Sequence, residues 1–250
     1  MLRRHCALVG VVVLAFSALR ASADHVQFTI PYSSDLINEP GGTASSIGQS
    51  GGSFVTQSYA EAHDSISPRG LPDSGVIGSF HFGPYNGNNA LELGTNQGVL
   101  LRGVPSSSFV LHVYAVADEG YGTLPYATLK LAINKSHAVD YEEQLVPRWL
   151  SGNSSFIGRM DTTGPGGVFV DSNQGAIADI QFLVFNNDQS VSNLGLTNEQ
   201  QIGGPNFFGG AEVYIFGAEA FTPEPGTGVG LALAALLLAR RRRYLGEFGA

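Results

Sequence analysis

The sequence predicts an all-β protein: a two-sheet sandwich of jelly-roll-like form, followed by one C-terminal transmembrane helix. Three observations predict it. Gly, Ser, Asn and Pro recur every ten or so residues, and the short stretches between them are rich in Val, Ile, Phe, Tyr and Thr, as strands joined by turns require. Helical periodicity is scarce. Near the end of the 250-residue chain, residues 226–239 form an uncharged, largely apolar run closed by four arginines.

In chain order, strands are expected over residues 26–32, 53–59, 76–82, 98–102, 109–117, 127–134, 167–171, 177–185 and 212–221. Nine or ten strands in about 200 residues suit a single sandwich domain. Residues 109–117 are apolar almost throughout, with His112 the exception, which places that strand in mid-sheet with both faces covered. Residues 128–134 alternate apolar and polar side chains, giving one buried and one wet face. The best helical segment is 139–150, where Tyr141, Leu145 and Trp149 fall at i, i+4 and i+8, although Pro147 limits it to a short helix or turn. Residues 40–52 and 203–210 are glycine-rich and read as loops within one domain.

The two ends set an address. Met1, Leu2, Arg3, Arg4 and His5 are followed by an apolar run over 7–19 and by Arg20-Ala21-Ser22-Ala23. A charged start, an apolar run of this length and a small-residue A-x-A site predict a secretory signal peptide cut after Ala23, so that the mature chain begins at Asp24. Cys6 leaves with it. At the other end the run over 226–239 is shorter than the ~17 to 25 residues of an ordinary bilayer span. Arg240, Arg241, Arg242 and Arg243 compensate, because long basic side chains snorkel and a positive cluster stays on the cytoplasmic side. Residues 24–222 are then expected outside the membrane and the arginines inside. Pro223 and Pro225 separate the folded domain from the helix.

Pro223-Glu224-Pro225, the apolar run and the arginine cluster, in that order and paired with an export signal, resemble the PEP-CTERM sorting tail of bacterial exported proteins. The resemblance covers about 28 residues. It implies an exosortase-like processing enzyme as partner, cleavage near the Pro-Glu-Pro motif, and a helix that anchors the chain in the membrane at least transiently before release to the cell surface or extracellular matrix. The expected divisions are a signal peptide over 1–23, a β-sandwich domain over 24–221 and a sorting tail over 222–250.

Between residues 24 and 222 the chain carries 19 acidic and six basic side chains, a net charge of −13. Such a surface repels phosphate backbones, which excludes nucleic acid as a partner and favours neutral polymers or cations. The same stretch has no cysteine, so neither disulfides nor thiol chemistry can contribute.

Candidate sites are few. Gly48-Gln49-Ser50-Gly51-Gly52 matches G-x-S-x-G, but a loop precedes the serine and a strand-like segment follows, the reverse of a nucleophile elbow. No catalytic residue is assigned. The most polar-aromatic stretch, residues 118–150, gathers Tyr121, Tyr126, Tyr141 and Trp149 with Asp118, Glu119, Asp140, Glu142 and Glu143. Aromatic faces stack on sugar rings and carboxylates accept hydroxyl hydrogen bonds, so these four aromatics are candidates for carbohydrate binding. The same carboxylates are those a polysaccharide-degrading glycoside hydrolase or lyase would use. His112, with no second histidine in ligand spacing, is expected to be a hydrogen-bonded structural residue.

Asp171-Ser172-Asn173-Gln174-Gly175 begins like an oxygen-ligand loop, yet Gly175 comes one position early for an EF-hand and Phe182 stands where its bidentate glutamate would be. Asn186-Asn187-Asp188 and Asp118-Glu119 offer further oxygens. A structural calcium ion is compatible with these turns, without a defined ligand set, and no other cofactor is called for. The function expected is that of a non-catalytic, exported cell-envelope or matrix protein in contact with exopolysaccharide. The alternatives are the polysaccharide-degrading enzyme and a purely structural or adhesive surface protein.

Overall fold

The computed structural model describes residues 24–42, 44–47, 51–64, 66–118, 126–151, 156–186, 188–199 and 211–222. The chain divides into a β domain, residues 26–220, and a terminal unit drawn from both ends, 1–25 and 221–250. The fold is all-β. Its strands are β1 (Asp24–Gln27), β2 (Ile37–Asn38), β3 (Ser53–Val55), β4 (Val76–Ile77), β5 (Phe80–His81), β6 (Leu91–Leu93), β7 (Gly98–Leu101) and β8 (Phe109–Ala117). They continue with β9 (Tyr126–Lys135), β10 (Val139–Pro147), β11 (Ile157–Thr163), β12 (Phe169–Val184), β13 (Val191–Glu199) and β14 (Val213–Thr222). Among the described residues one α-helix, α1 (Gln57–His63), follows β3.

An eight-stranded sheet runs β1-β14-β8-β12-β11-β3-β2, with β6 also pairing with β14. A four-stranded sheet runs β10-β9-β13-β7, and β4 with β5 makes a small hairpin. The two larger sheets face each other across an aliphatic core. Leu111, Val113 and Ala115 of β8 point into it with Ile180 and Val184 of β12, and meet Leu129, Leu131 and Ile133 of β9 and Leu194 and Leu196 of β13. As its composition predicts, β8 lies in mid-sheet between β14 and β12 and is covered on both faces.

The cover on its second face is a separate cluster. Tyr114 and Val116 of β8, Tyr214 and Phe216 of β14, Ile177 of β12 and Phe54 of β3 point away from the sandwich interior. Leu36, Leu71, Phe80, Phe82 and Trp149 pack over them. The fit is close at Gly217, where a Cβ would stand 2.3 Å from the Phe80 ring, so only glycine lets the β5 aromatic lie against β14.

Several expectations are corrected. The segment 139–150 is not a helix: its residues 139–147 form the edge strand β10, paired antiparallel with β9 from Val139 opposite Asn134 to Pro147 opposite Tyr126. The misleading signal has a simple cause: a spacing of four is also a multiple of the strand period of two, so Tyr141 and Leu145 share a face in either conformation. The strand expected over 53–59 ends at Val55, because Thr56 caps a helix, its Oγ1 accepting from the Tyr59 amide at 3.3 Å. The strands expected over 167–171 and 177–185 are parts of one 16-residue strand, β12 (Phe169–Val184), whose register against β11 shifts twice. Residues 76–82 split into β4 and β5 around Gly78, which has φ +61°. Strands β2, β6, β11 and β13 went unpredicted, β13 because Asn193, Gly195 and Asn198 resemble turn residues.

The expected helix over 226–239 lies outside the described residues. Among the described residues no helix is long and apolar enough to cross a membrane.

Candidate functional site

The outer face of the four-stranded sheet is built by register. The buried apolar residues of β9 are Ala127, Leu129, Leu131 and Ile133, so by alternation Thr128, itself buried, and Lys130, Ala132 and Asn134 belong to its other face. Pairing then sets Tyr141 beside Ala132, Ala132 beside Gly195 and Gly195 beside Leu100. These four residues make a strip about 14 Å long across the strands. Its floor is low because Ala132 and Gly195 carry almost no side chain. Its ends stand up, Tyr141 being 60% exposed and Leu100 46%.

Polar rows border the strip. On one side the Asn134 amide donates to Asn193 Oδ1 at 2.6 Å. On the other, Lys130 Nζ lies 2.9 Å from Glu199 and 3.7 Å from Glu143, and 4.9 Å from the centre of the Tyr141 ring. Hydrogen bonding to Glu199 raises the Lys130 pKa and lowers that of Glu199 through the same contact, so both stay charged. The arrangement offers a stacking ring, an apolar floor and amide and carboxylate groups at its edges.

Of the four aromatics expected to bind carbohydrate, the two whose side chains are described, Tyr141 and Trp149, do not share a surface. Tyr141 stands exposed on this face. Trp149 is a correction: at 1% exposure it sits in the second core cluster, edge-on to Phe54 with ring centres 5.7 Å apart, and cannot stack on a sugar. The residues before it explain this, since Arg148 bridges to Ala117 and the Trp149 amide donates to the Ala117 carbonyl at 3.0 Å, turning the indole inward. Tyr121 and the Tyr126 side chain lie outside the described residues, as do Glu119, Ser50, Ala21 and Ala23, Pro223, Glu224 and Pro225, and Arg240 to Arg243.

The described carboxylates of 118–143, Asp118, Asp140, Glu142 and Glu143, are dispersed. Asp118 is buried, where its Oδ1 accepts from the Glu212 amide at 3.0 Å. Asp140 pairs with Lys135 at 2.5 Å and Glu143 approaches Lys130. Glu142 and Glu143, adjacent on a strand, point to opposite faces. His112 is hydrogen-bonded to both Asp179 oxygens at 3.0 Å, as expected of a structural histidine. Next to that pair the Tyr114 hydroxyl donates to the buried Glu219, and burial, aided by this bond, pushes the Tyr114 pKa well up.

One acidic grouping escaped the sequence. Asp64, Asp161 and Asp171 each place an oxygen within 4.8 Å of the others. Asp64 ends α1 and accepts from the Ile66 and Ser67 amides at 2.8 and 3.3 Å. Asp161, on β11, is fully buried and accepts from the Arg69 amide at 2.9 Å, while its own amide donates to the Arg69 carbonyl. Asp171 comes from β12, which runs beside β11. Asp171 was legible as the start of an oxygen-ligand loop, but its companions are 10 and 107 residues earlier in the chain and only the β11–β12 pairing assembles them.

No protein-family model matches this chain, and no curated protein matches it.

Proposed function

We propose that this chain is a non-catalytic, exported surface or matrix protein with a jelly-roll-like sandwich that touches extracellular polysaccharide through the outer face of its four-stranded sheet. The observation that carries the contact is the Tyr141–Ala132–Gly195–Leu100 strip. A sugar ring stacks on the exposed phenol, its hydroxyls reach the Asn134–Asn193 amides and the Glu143 and Glu199 carboxylates, and the acidic surface turns away anionic polymers. Delivery rests on the signal peptide ending at Ala23. Transient anchoring and exosortase-like processing rest on Pro223-Glu224-Pro225, the following apolar run and Arg240 to Arg243.

The structural calcium ion belongs, in this reading, to Asp64, Asp161 and Asp171, where a divalent cation offsets the repulsion of three carboxylates and ties α1 to β11 and β12. Added calcium is then expected to raise the melting temperature of the full chain, and Asp171→Asn to abolish the rise. An equal rise in the variant places the ion elsewhere.

Two measurements test the main reading. Mass spectrometry of the C-terminus in membrane and extracellular fractions is expected to find a terminus near residues 222–225 outside the membrane; an intact chain ending at Ala250 in the membrane refutes processing. Co-sedimentation of the full chain with the producing cells' own polysaccharide is expected to weaken on Tyr141→Ala, and unchanged sedimentation refutes the face.

A further inference from the structure

On the opposite side of the domain core, the segment around β2, the turn before β4 and the stretch from β5 toward β6 line an open groove with a chemistry of its own. Two adjoining hollows, of about 370 and 210 Å³, share Glu39, Tyr85 and Asn86 as a common wall. Asp73 and His81 line the larger and Asp35 the smaller. The larger volume lies in the range of small-ligand pockets.

Both walls are fixed in advance. The Asn89 side chain donates to Asp35 Oδ1 at 2.6 Å while its own oxygen accepts from the Leu36 amide at 2.9 Å. The Gly42 amide donates to the Glu39 carbonyl at 2.9 Å, closing the turn that carries Glu39. Across the groove the Tyr85 hydroxyl donates to the Pro72 carbonyl at 3.0 Å and its ring packs on Phe82 at 6.2 Å, so the phenol presents a settled face. Preorganised walls spare a ligand the entropy of ordering them.

The chemistry of the lining selects the ligand class. Acceptors dominate, with three carboxylates and the Asn86 amide around one aromatic ring. Phosphates and uronic acids are repelled. A bare cation is a poor fit, because calcium needs its oxygens at 2.3–2.6 Å. Among the described residues, the trio whose acid oxygens come within 4.8 Å of one another is Asp64, Asp161 and Asp171, not the acids of this groove. A donor-rich ring matches, because vicinal hydroxyls or an amino group can each give a hydrogen to a separate carboxylate while the ring lies on Tyr85. Burial, with Glu39 adding to it, raises the Asp35 pKa, which fits a carboxyl set back from water at the narrow end.

We propose that the groove between Asp35, Glu39, Asp73 and Tyr85 is a second sugar site, which takes one neutral or amino sugar unit of a glycan chain. The inference rests on the polysaccharide reading above and adds an end-on site to the flat face carrying Tyr141. Glu39 and Asp73 accept from the ring substituents, Tyr85 supports the ring, and Asp35 positions the narrow end through Asn89.

The test is titration calorimetry on the full-length chain in mild detergent. The probes are a short neutral β-glucan oligomer, a chitosan oligomer and a polyuronate oligomer. The variants are the double substitution Glu39→Gln with Asp73→Asn, and Tyr141→Ala. The protein is expected to bind the neutral or the amino oligomer and not the polyuronate. The double variant should lose about tenfold or more in affinity at the groove, as the loss of two charge-assisted hydrogen bonds implies, whereas Tyr141→Ala reads the flat face alone. Equal affinity in the double variant, with loss in Tyr141→Ala, overturns the groove and leaves the polysaccharide reading standing. No binding of any oligomer or of native polysaccharide by the unaltered chain overturns both. Calcium binding that disappears in the double variant shows a cation site and also overturns the proposal. Both substitutions are isosteric at accessible side chains; if the pair lowers the melting temperature, Glu39→Gln alone is read by the same criteria.

Discussion

The two faces of the eight-stranded sheet are packed in different ways. The face toward the four-stranded sheet is aliphatic: of its buried members only Phe28, Phe109 and Phe182 are aromatic, and the rest are Leu, Ile, Val and Ala. The opposite face is aromatic, with Phe54, Phe80, Phe82, Tyr114, Trp149, Tyr214 and Phe216 buried and Tyr85 and Phe156 packed at its edge. The contrast follows from what covers each. Two regular sheets interdigitate through alternate side chains of similar size. The short strands, turns and helix α1 on the other side cannot repeat in that way, so large flat rings close the gaps, in edge-on and tilted pairs such as Phe80 with Tyr114 at 4.3 Å. The irregular side also supplies the groove lined by Asp35, Glu39, Asp73 and Tyr85, because loops can turn polar groups toward one another where a sheet must alternate them, whereas the Asp64–Asp161–Asp171 cluster joins the end of α1 to two paired strands.

If rings carry the irregular side, removing one should cost more than trimming the sandwich interior. Trp149→Ala is expected to destabilise by about 4 kcal/mol, against about 3 kcal/mol for Leu131→Ala, both read from urea denaturation midpoints. A reversed order breaks the comparison. The next largest effect concerns the polar pins that hold the loops down. Asn89→Ala strips partners from the Leu36 amide and from Asp35, and should cost about 2 kcal/mol, against a change near zero for Asn193→Ala on the open face of the other sheet.

Alkali loads the aromatic side more heavily, because Tyr32, packed on the aliphatic cluster, is raised by burial alone. Tyr85 and Tyr114 both have pKa values raised by burial above the usual 10.0, reinforced by Asp73 for Tyr85 and by the bond to Glu219 for Tyr114, and both belong to the aromatic side. Above pH 10 the unfolded chain gives up phenolic protons that the folded chain keeps, so stability is present below that pH and falls as pH rises past it. The melting temperature should decline more gently in Tyr85→Phe, with native phenol titration followed at 295 nm. A decline unchanged in that variant removes Tyr85 from the account. The smallest effect is expected at the surface. Glu199→Gln breaks the pair with Lys130 on the four-stranded sheet and should leave the melting temperature within error in 0.15 M salt.

How much of this was legible varied with how locally the signal is written. The all-β class, the bounds of β8 at 109–117 and the alternation in β9 follow from composition and period two, which any half-buried strand must show. The candidate sites were less legible. Tyr141 and Trp149 are eight residues apart and chemically alike as sugar platforms, yet one is 60% exposed and the other 1%. Nothing in their neighbourhoods distinguishes them; the bridge from Arg148 to Ala117 does, and it joins residues 31 positions apart. Asp35, Asp73 and Tyr85 likewise meet across 50 residues of chain.

The sequence by itself determined the strand-forming character of the domain, its acidity, its lack of cysteine and the three-part pattern at its C-terminal end, because each is a property of residues counted or read in order. Tertiary structure alone decided which aromatic faces water, which acids share a site and which side of the large sheet carries the loops. Those outcomes depend on pairings between distant strands, and the free energy of such pairings comes from surfaces that exist only once both partners are in place.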